Sequence, residues 1–493
     1  MRAGTWRAAF AAQGLRPGDG IALALSRGPE LAPLHLAALA GGYAVVPINT
    51  AMTGPEVARV LAAARPRLVV SSRSFADAHA AQRHASSLRN DAEPHATAGA
   101  RRPLEHGERP APKVAAVEWW TEDAEPPALS DAAAARRALA PADVADDATA
   151  LVIFTSGTTG APKSVPLTHG NLRSNLQSLA TLWQRSSDDR LLHVLPAHHF
   201  HGLVVALYGS LLAGNRVTLL PAFEPASTLA ALRTCDIDLL MAVPTIYARL
   251  VQAEGSEGAL ASLRLAVSGS APLPSALWHS VRERLGAALI NRYGLTETGI
   301  ITSTSPAHPR PGTVGAPLPG TTVALRTDIG RYLQREIGRA SERGEICVRG
   351  PAVMPGYGNA PEANAAAFEN GFFRSGDLGH FDERGDLWVD GRLKELIIVG
   401  GSNVVPGEVE APLSAVAGVA EVVVSGVAHE DLGEVVGAFV VAAPGVVDAG
   451  ELERRLREEA ERTLAPYKRP RVYRFLSEIP RNATGKIDRG RLG

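Results

Sequence analysis

Thr155–Val165 reads TSGTTGAPKSV, a run of hydroxyl residues and glycines that closes on Lys163 directly after the apolar stretch Leu151–Phe154. A strand running into such a loop turns backbone N–H groups and hydroxyls outward, the arrangement by which a chain holds a phosphate. Gly157 and Gly160 allow the tight backbone that gathers those donors, and Lys163 adds a point charge. The run is not the common P-loop, which needs glycine before its lysine, where this chain has Pro162. Alone it also fits a polar surface turn. The rest of the chain decides between the two.

Upstream of the loop, residues 15–72 alternate: the strand Ile21–Leu25, a helix through Pro33–Ala40, the strand Ala44–Ile48, a helix from Gly54 to Ala64 and the strand Arg67–Ser72. That order predicts a parallel, doubly wound sheet. Residues 77–148 shift to Ala, Arg, Pro, His and Asp, with few large apolar residues except Trp119 and Trp120, and read as a partly irregular surface excursion. Strand–helix alternation resumes at 150 and runs to around residue 320. From 323 to 390 short β segments dominate, with turns expected at Gly330, Gly344, Gly356 and Gly385. After Gly391 come strands at 419–427, 434–443 and Val472–Phe475 and a helix over Ala449–Leu464. On that helix Leu452, Leu456, Ala460 and Leu464 form one apolar stripe. The fold class is therefore α/β: a large N-terminal domain, 1–391, with parallel sheets and a β-rich subdomain, and a small α+β domain, 392–493.

A chain of 493 residues suggests two or three folding units, and 45% hydrophobic with 20% charged residues fits a soluble globular protein. The net charge of −1 provides no basic field for nucleic acid or an anionic membrane. Cys235 and Cys347 form no CxxC, which argues against a disulfide or a structural zinc site and fits a cytoplasmic location. No stretch reaches the roughly 18 uninterrupted apolar residues of a membrane span. The N-terminus, with Arg2, Arg7 and Arg16 and no acid before Asp19, reads either as a presequence or, preferably, as a surface helix ending at Gly14.

Four further segments carry chemistry. In NRYGLTETG (291–299), expected as one short turn, Tyr293 offers a flat ring, Thr296 a hydroxyl and Glu297 a hard oxygen ligand for Mg²⁺. In RSGDLG (374–379) Asp377, placed between glycine-flanked turns, could hold two ribose hydroxyls or close an Asx turn. GRLKELIIVGGSNVVPGEVE (391–410) joins Arg392 and Lys394 to the paired Gly400 and Gly401, a composition that suits a junction between moving domains. PRNATGKIDR (480–489) sets Lys486 beside Gly485 in a turn, where an ordinary surface lysine would look the same.

In this order and spacing the five segments resemble the adenylate-forming superfamily of acyl-CoA synthetases, standalone adenylation domains and beetle luciferases, over nearly the whole chain from Leu15 to Arg489. The resemblance implies a large N-terminal domain, a small mobile C-terminal lid, and a two-step reaction. A carboxylic acid and ATP give an acyl-adenylate and pyrophosphate; after the lid turns, the thiol of coenzyme A attacks the adenylate. It implies that Thr155, Ser156, Gly157, Thr158, Thr159 and Lys163 hold the β- and γ-phosphates, and that Gly269, Ser270 and Ala271 belong to the nucleotide site. Tyr293 lies against adenine, Thr296 touches the α-phosphate and Glu297 binds Mg²⁺. Asp377 and Arg392 hold the ribose, Lys394 is the hinge, Gly400 and Gly401 face coenzyme A, and Lys486 bridges carboxylate and α-phosphate. Two anions must meet in that step, and a cation between them offsets their repulsion. Three departures stand out. Ser164 follows Lys163 where glycine is usual, which reduces backbone freedom; Ser375 replaces a commoner threonine; and the chain begins late, without the family's leader.

The acyl pocket is expected from LPAHHFHGL (195–203), MAVPTIY (241–247), VSGSAPLP (267–274) and the residues before Tyr293. His198, His199 and His201 lack partner ligands at a metal-binding spacing. The resemblance makes His199 a gate beside the carboxylate and His201 a feature of malonyl-type synthetases, which also carry Arg at the position of Arg292. A buried Arg is costly without an anion, and a second substrate carboxylate would supply one, although a neighbouring Asp or Glu could do the same. The pattern points to malonate or methylmalonate, while the segment VGGSNVVPGEVE resembles general fatty-acid or aryl-acid CoA ligases. A carrier protein is the alternative acceptor.

Overall fold

The computed structural model describes residues 2–79, 118–121, 134, 139–155, 163–446, 448–481 and 487–492. The sequence assignments at Ser156, Gly157, Thr158, Thr159 and Lys486, and most of the excursion at 77–148, lie outside the described residues. The fold is mixed α/β and divides into two compact units, Met1–Pro311 with Leu318–Thr321 and Gly350–Glu369, and Gly312–Pro317 with Thr322–Arg349 and Asn370–Gly493.

The first unit holds two sheets. One contains β1 (Gly20–Ala24), β2 (Ala44–Pro47), β3 (Leu68–Ser71), β4 (Glu118–Thr121), β5 (Thr149–Thr155) and β6 (Lys163–Thr168), in the order β4-β3-β1-β2-β5-β6. All neighbours are parallel except β5 and β6, which pair antiparallel and set Thr155 opposite Lys163. Val46 of β2, Val69 of β3 and Ile48, just past β2, pack with Val57, Val60 and Leu61 of the helix Gly54–Ala64. That helix starts where Thr53 and Glu56 close a capping box. Within 77–148, Glu118–Thr121 forms a strand whose backbone pairs parallel with β3. At the N-terminus, Arg2–Ala12 is a helix that buries Trp6 and Phe10, and Trp6 Nε1 donates to Glu30 at 2.7 Å.

The second sheet runs through β7 (Arg190–His193), β8 (Arg216–Leu219), β9 (Leu239–Ala242), β10 (Leu265–Ser268), β11 (Ile290–Leu295) and β12 (Gly299–Ser303), in the order β12-β11-β10-β9-β7-β8. Strands β8 to β11 are parallel with β7, and β12 turns back on β11. Segments that leave the carboxyl ends of β7, β10 and β11 therefore emerge on one side, where open α/β sheets hold ligands.

In the second unit, strands Thr322–Arg326, Gly344–Arg349, Phe372–Phe381 and Leu387–Arg392 form an antiparallel sheet. Gly330 and Gly385 sit in turns at φ 76°, but Gly344 begins a strand rather than a turn; a Cβ there would fall 2.8 Å from the Arg326 carbonyl oxygen. The C-terminal part packs the helix Ala449–Thr463 on the strands Val419–His429 and Gly433–Ala442. Leu452, Leu456, Ala460 and Leu464 enter one core with Val424, Val436 and Val440, so the apolar stripe read from the sequence is the buried face.

Candidate active site

Strand β6 fixes the position of Lys163. Ser164 is extended within it, a backbone state open to any residue, so the usual glycine is not needed there; its carbonyl accepts from Gly358 N at 3.0 Å. The Lys163 ammonium stands 4.8 Å from the ring centroid of Tyr357, a cation–π contact. The Tyr357 hydroxyl donates to Glu297 Oε1 at 3.0 Å. Tyr357 was not singled out from sequence; its only signal there is an aromatic side chain between Gly356 and Gly358. The structure thus brings together Lys163 and Glu297, two residues 134 positions apart, through a third.

The segment NRYGLTETG is not one turn. Arg292 and Tyr293 lie on β11, and only Thr296 to Thr298 turn the chain into β12. A bulge between Tyr293 and Gly294 re-aims the strand just before the turn. Gly294 has no room for a side chain, since a Cβ would meet the Gly299 carbonyl oxygen at 2.1 Å. Thr298 Oγ1 accepts from Leu295 N at 3.2 Å, and buried Asn175 brackets Ile300, donating to its carbonyl at 2.7 Å and accepting from its N–H at 3.1 Å. Thr296, Glu297 and Tyr293 remain half-buried on this rigid turn.

Arg292 is buried, and a Cβ on Gly269 would fall 2.3 Å from its Nε and 2.5 Å from its Cζ. The guanidinium therefore lies against bare backbone at the end of β10. Its Nη2 donates to Ser270 Oγ at 3.2 Å, and Ser270 Oγ is 3.3 Å from His201 Nδ1. Ser270 is held at φ 72°, a strained conformation for a residue with a Cβ. No carboxylate stands within ion-pair distance of Arg292 among the described residues, and its Nε has no hydrogen-bond partner there; neither does Nε2 of His201. Burial pulls the Arg292 guanidinium down to about 9, which leaves it cationic at neutral pH. Burial, then Arg292 and His193, hold His201 well below the usual histidine range, so its ring is neutral. A neutral ring that accepts Ser270's proton at Nδ1 keeps its own proton on Nε2. Both unpartnered atoms are then donors.

His201 opens a π-helical stretch, His201–Tyr208, a geometry frequent at functional sites. Gly202 is required there because a Cβ would meet the Pro196 carbonyl oxygen at 2.2 Å. The rings of His198 and His199 lie 4.2 Å apart with their planes tilted by 55°, and burial with His199 and Arg27 lowers His198 to about 3. Among the described residues no group of three His, Cys, Asp or Glu could cage a metal ion.

In the second unit RSGDLG lies inside the strand Phe372–Phe381 rather than between turns; Gly376 at φ 71° and a shift of register after Leu378 bend the strand without ending it. Asp377 faces Arg392 across the ladder, and Arg392 Nε donates to its Oδ1 at 3.0 Å. Ser375 Oγ accepts from Asp377 N at 3.0 Å, which is the use of the hydroxyl that serine retains there. Gly400 and Gly401, expected as flexible, have φ 53° and 84° and form the two-residue turn of the hairpin Ile397–Val404, in which both central residues need positive φ. Lys394 sits on a short 3₁₀ turn and shares a cavity of about 340 Å³ with Glu395 and Ile487 to Gly490, the residues that follow Lys486.

Asp377→Ala should raise the ATP KM and lower kcat/KM about tenfold or more, given roughly 1.5–3 kcal/mol for a hydrogen bond to a charged group. Arg392 is 42% exposed at its side chain, so water replaces its lost partner and the fold should be little affected. Steady-state kinetics in ATP with a thermal melt separate the two effects; an unchanged ATP KM rejects a ribose role.

The profile of the AMP-binding enzyme family matches residues 2–358, and that of the AMP-binding enzyme C-terminal domain matches residues 408–486. The chain belongs to the AMP-binding enzyme family. It is 37% identical over 350 residues to a long-chain-fatty-acid–CoA ligase of Bacillus subtilis, covering 70% of this chain and 61% of that protein. It is equally 37% identical over 380 residues to a mitochondrial malonate–CoA ligase of Homo sapiens, covering 70% of this chain and 65% of that protein. Among solved structures, ATP-bound MatB from Rhodopseudomonas palustris superposes with a TM-score of 0.84 at 34% identity, over 100% of this chain and 91% of MatB. Family membership accounts for the fold and for the order of the five segments. No helix among the described residues is long and apolar enough to cross a membrane.

Proposed function

We propose that this protein is an AMP-forming acid–thiol ligase that activates a small dicarboxylic acid, malonate or a methylmalonate-like acid, and transfers the acyl group to coenzyme A. The carboxylate oxygen attacks the α-phosphorus of ATP, the bond to the β-phosphate oxygen breaks, and pyrophosphate leaves. The coenzyme A thiol then loses its proton and attacks the acyl carbon, and AMP departs. Thr155, Ser156, Gly157, Thr158, Thr159 and Lys163 hold the departing phosphates. Tyr293 lies against adenine beside Gly269, Ser270 and Ala271, Thr296 contacts the α-phosphate, and Asp377 with Arg392 holds the ribose.

Mg²⁺ fits the residues present: Glu297 is a half-buried carboxylate with no cation in ion-pair distance among the described residues, and a single protein carboxylate beside substrate phosphates suits this ion. Glu297 would hold it, and the ion would neutralise charge on the triphosphate. Lys486 offsets the repulsion between the two anions in the first step, Lys394 is the hinge between the steps, and Gly400 and Gly401 lie toward coenzyme A.

The observation that carries the dicarboxylate reading is Arg292: buried, cationic, resting on a neutral hydroxyl and lacking a carboxylate among the described residues. An uncompensated buried charge is expensive, and a carboxylate brought by the substrate removes that cost only when the right acid is bound. His201 Nε2 adds a second buried polar atom without a partner among the described residues, and His199 stands as the gate beside the reacting carboxylate. The similarity to a human malonate–CoA ligase supports this reading. The fatty-acid ligase of B. subtilis supports a general CoA ligase instead.

Pyrophosphate exchange over malonate, methylmalonate, butyrate, octanoate and benzoate tests the reading, followed by thioester formation with coenzyme A or an acyl-carrier protein. Malonate or methylmalonate should lead the panel with coenzyme A as acceptor. Preference for octanoate or benzoate overturns the dicarboxylate assignment, and exchange with no acid overturns the ligase.

A further inference from the structure

Tyr357 touches the two charged groups assigned above to the triphosphate and its metal ion, and nothing in the sequence pattern gave it a part. Its place is over-determined. Tyr357 N donates to Asn364 Oδ1 at 2.6 Å, and Asn364 Nδ2 donates back to the Tyr357 carbonyl at 2.9 Å, so one amide grips both backbone groups. On one side Gly358 N is bound to Ser164, next to Lys163; on the other Met354 N donates to the Glu297 carbonyl at 2.8 Å. Asn171 Nδ2 donates to the carbonyls of Pro351 at 2.7 Å and Val353 at 2.9 Å. The segment is thus tied to the strand that carries Lys163, to the turn that carries Glu297 and to the helix His169–Leu182. A side chain held that firmly can impose its geometry on flexible neighbours.

The two contacts do different things. The hydroxyl occupies one acceptor position of the Glu297 carboxylate and fixes its plane, leaving its other lone pairs for an ion. The ring attracts the Lys163 ammonium without using any of its three N–H donors, which stay available to phosphate oxygens.

We propose that Tyr357 is a positioning residue for nucleotide binding, its hydroxyl orienting the Glu297 carboxylate toward the metal ion and its ring orienting Lys163 toward the phosphates. The proposal rests on the assignment of Glu297 to Mg²⁺ and of Lys163 to the phosphates. It separates the functions of two atoms groups on one side chain: Phe keeps the ring and loses the hydroxyl, while Leu loses both.

The test is calorimetric binding, with no acid present, of MgATP and of ATP in excess chelator to the full-length protein and to Tyr357→Phe, Tyr357→Leu and Glu297→Gln. Tyr357→Phe should weaken MgATP about tenfold, the scale of one hydrogen bond to a charged group, and leave metal-free ATP within about twofold. Tyr357→Leu should weaken both forms. Glu297→Gln should abolish the advantage of MgATP over ATP; if it does not, the metal assignment of Glu297 fails. If Glu297→Gln does so and Tyr357→Phe binds MgATP like the parent, the positioning role is overturned. Equal weakening of MgATP and metal-free ATP in Tyr357→Phe also overturns it, because that marks a purely structural residue. Thermal melts of each variant identify any that fail to fold, and Tyr357→Phe, which adds no volume, keeps the proposal testable if Tyr357→Leu is one of them.

Discussion

Arg292→Leu should lower kcat/KM for malonate by about two to three powers of ten, the kinetic equivalent of the roughly 3–5 kcal/mol lost when one partner of a buried ion pair is removed. The reason lies in what surrounds the guanidinium. It rests on Gly269 and Ser270, with no carboxylate from the described residues beside it. In the variant the distal carboxylate of malonate is left without its counter-charge in a buried place. Butyrate, of similar length but ending in a methyl group, should be spared or improved, because that end would meet leucine. The measurement is kcat/KM for both acids in parent and variant. A variant that loses both acids alike, or a parent without preference for malonate, ends the dicarboxylate reading.

Gly269→Ala provides an independent approach to the same residue. Its added methyl group would fall 2.5 Å from the Arg292 Cζ, so the guanidinium must move although every polar atom of the pocket is retained. Malonate KM should rise about tenfold or more beyond any change seen with octanoate, because an effect on the nucleotide beside Gly269 falls on both acids alike and displacement of the guanidinium falls on malonate alone. Equal effects on the two acids would show that the position of Arg292 does not set specificity.

The parts of this protein that were legible in sequence are those where chemistry restricts residue type. A hydroxyl- and glycine-rich run ending in lysine, a Thr-Glu pair and a Gly-Asp pair each narrow the choices, and their order carried the family. Regular burial was equally legible: the stripe Leu452, Leu456, Ala460 and Leu464 is the buried face of its helix. What escaped depends on long-range contact. Tyr357 is a lone aromatic between two glycines, and only the fold brings it to Glu297, 60 residues away. Asp377 looked like a turn residue because its neighbours are glycines, yet Gly376 bends a strand that continues to Phe381. Gly400 and Gly401 suggested flexibility because composition does not reveal that both have positive φ in one tight hairpin. Trp119 and Trp120 stood out by composition from residues 77–148, but only the fold gives their strand its partner, β3.

Lys486→Ala should reduce formation of the acyl-adenylate by roughly two to three powers of ten, the usual effect of removing a group that stabilises developing charge in a transition state. In the first step a carboxylate approaches the α-phosphate, and both are anions, so a cation between them acts most strongly as they meet. The second step has no such encounter: a thiol attacks an adenylate whose carboxylate charge is already spent in the mixed anhydride. Thioester formation from supplied acyl-adenylate should therefore stay close to the parent rate. Stability should also be retained, because the ends of the segment are held independently of the lysine: Arg481 and Ile487 form an antiparallel bridge, and Arg489 pairs with Glu395 and Glu410 at 3.1 Å each. Pyrophosphate exchange reads the first step, thioester formation the second, and a thermal melt the fold. Lys486→Arg keeps the charge but changes its shape, and should recover part of the first step if position as well as charge matters. Equal loss of both half-reactions in a folded Lys486→Ala protein would remove Lys486 from the adenylation step.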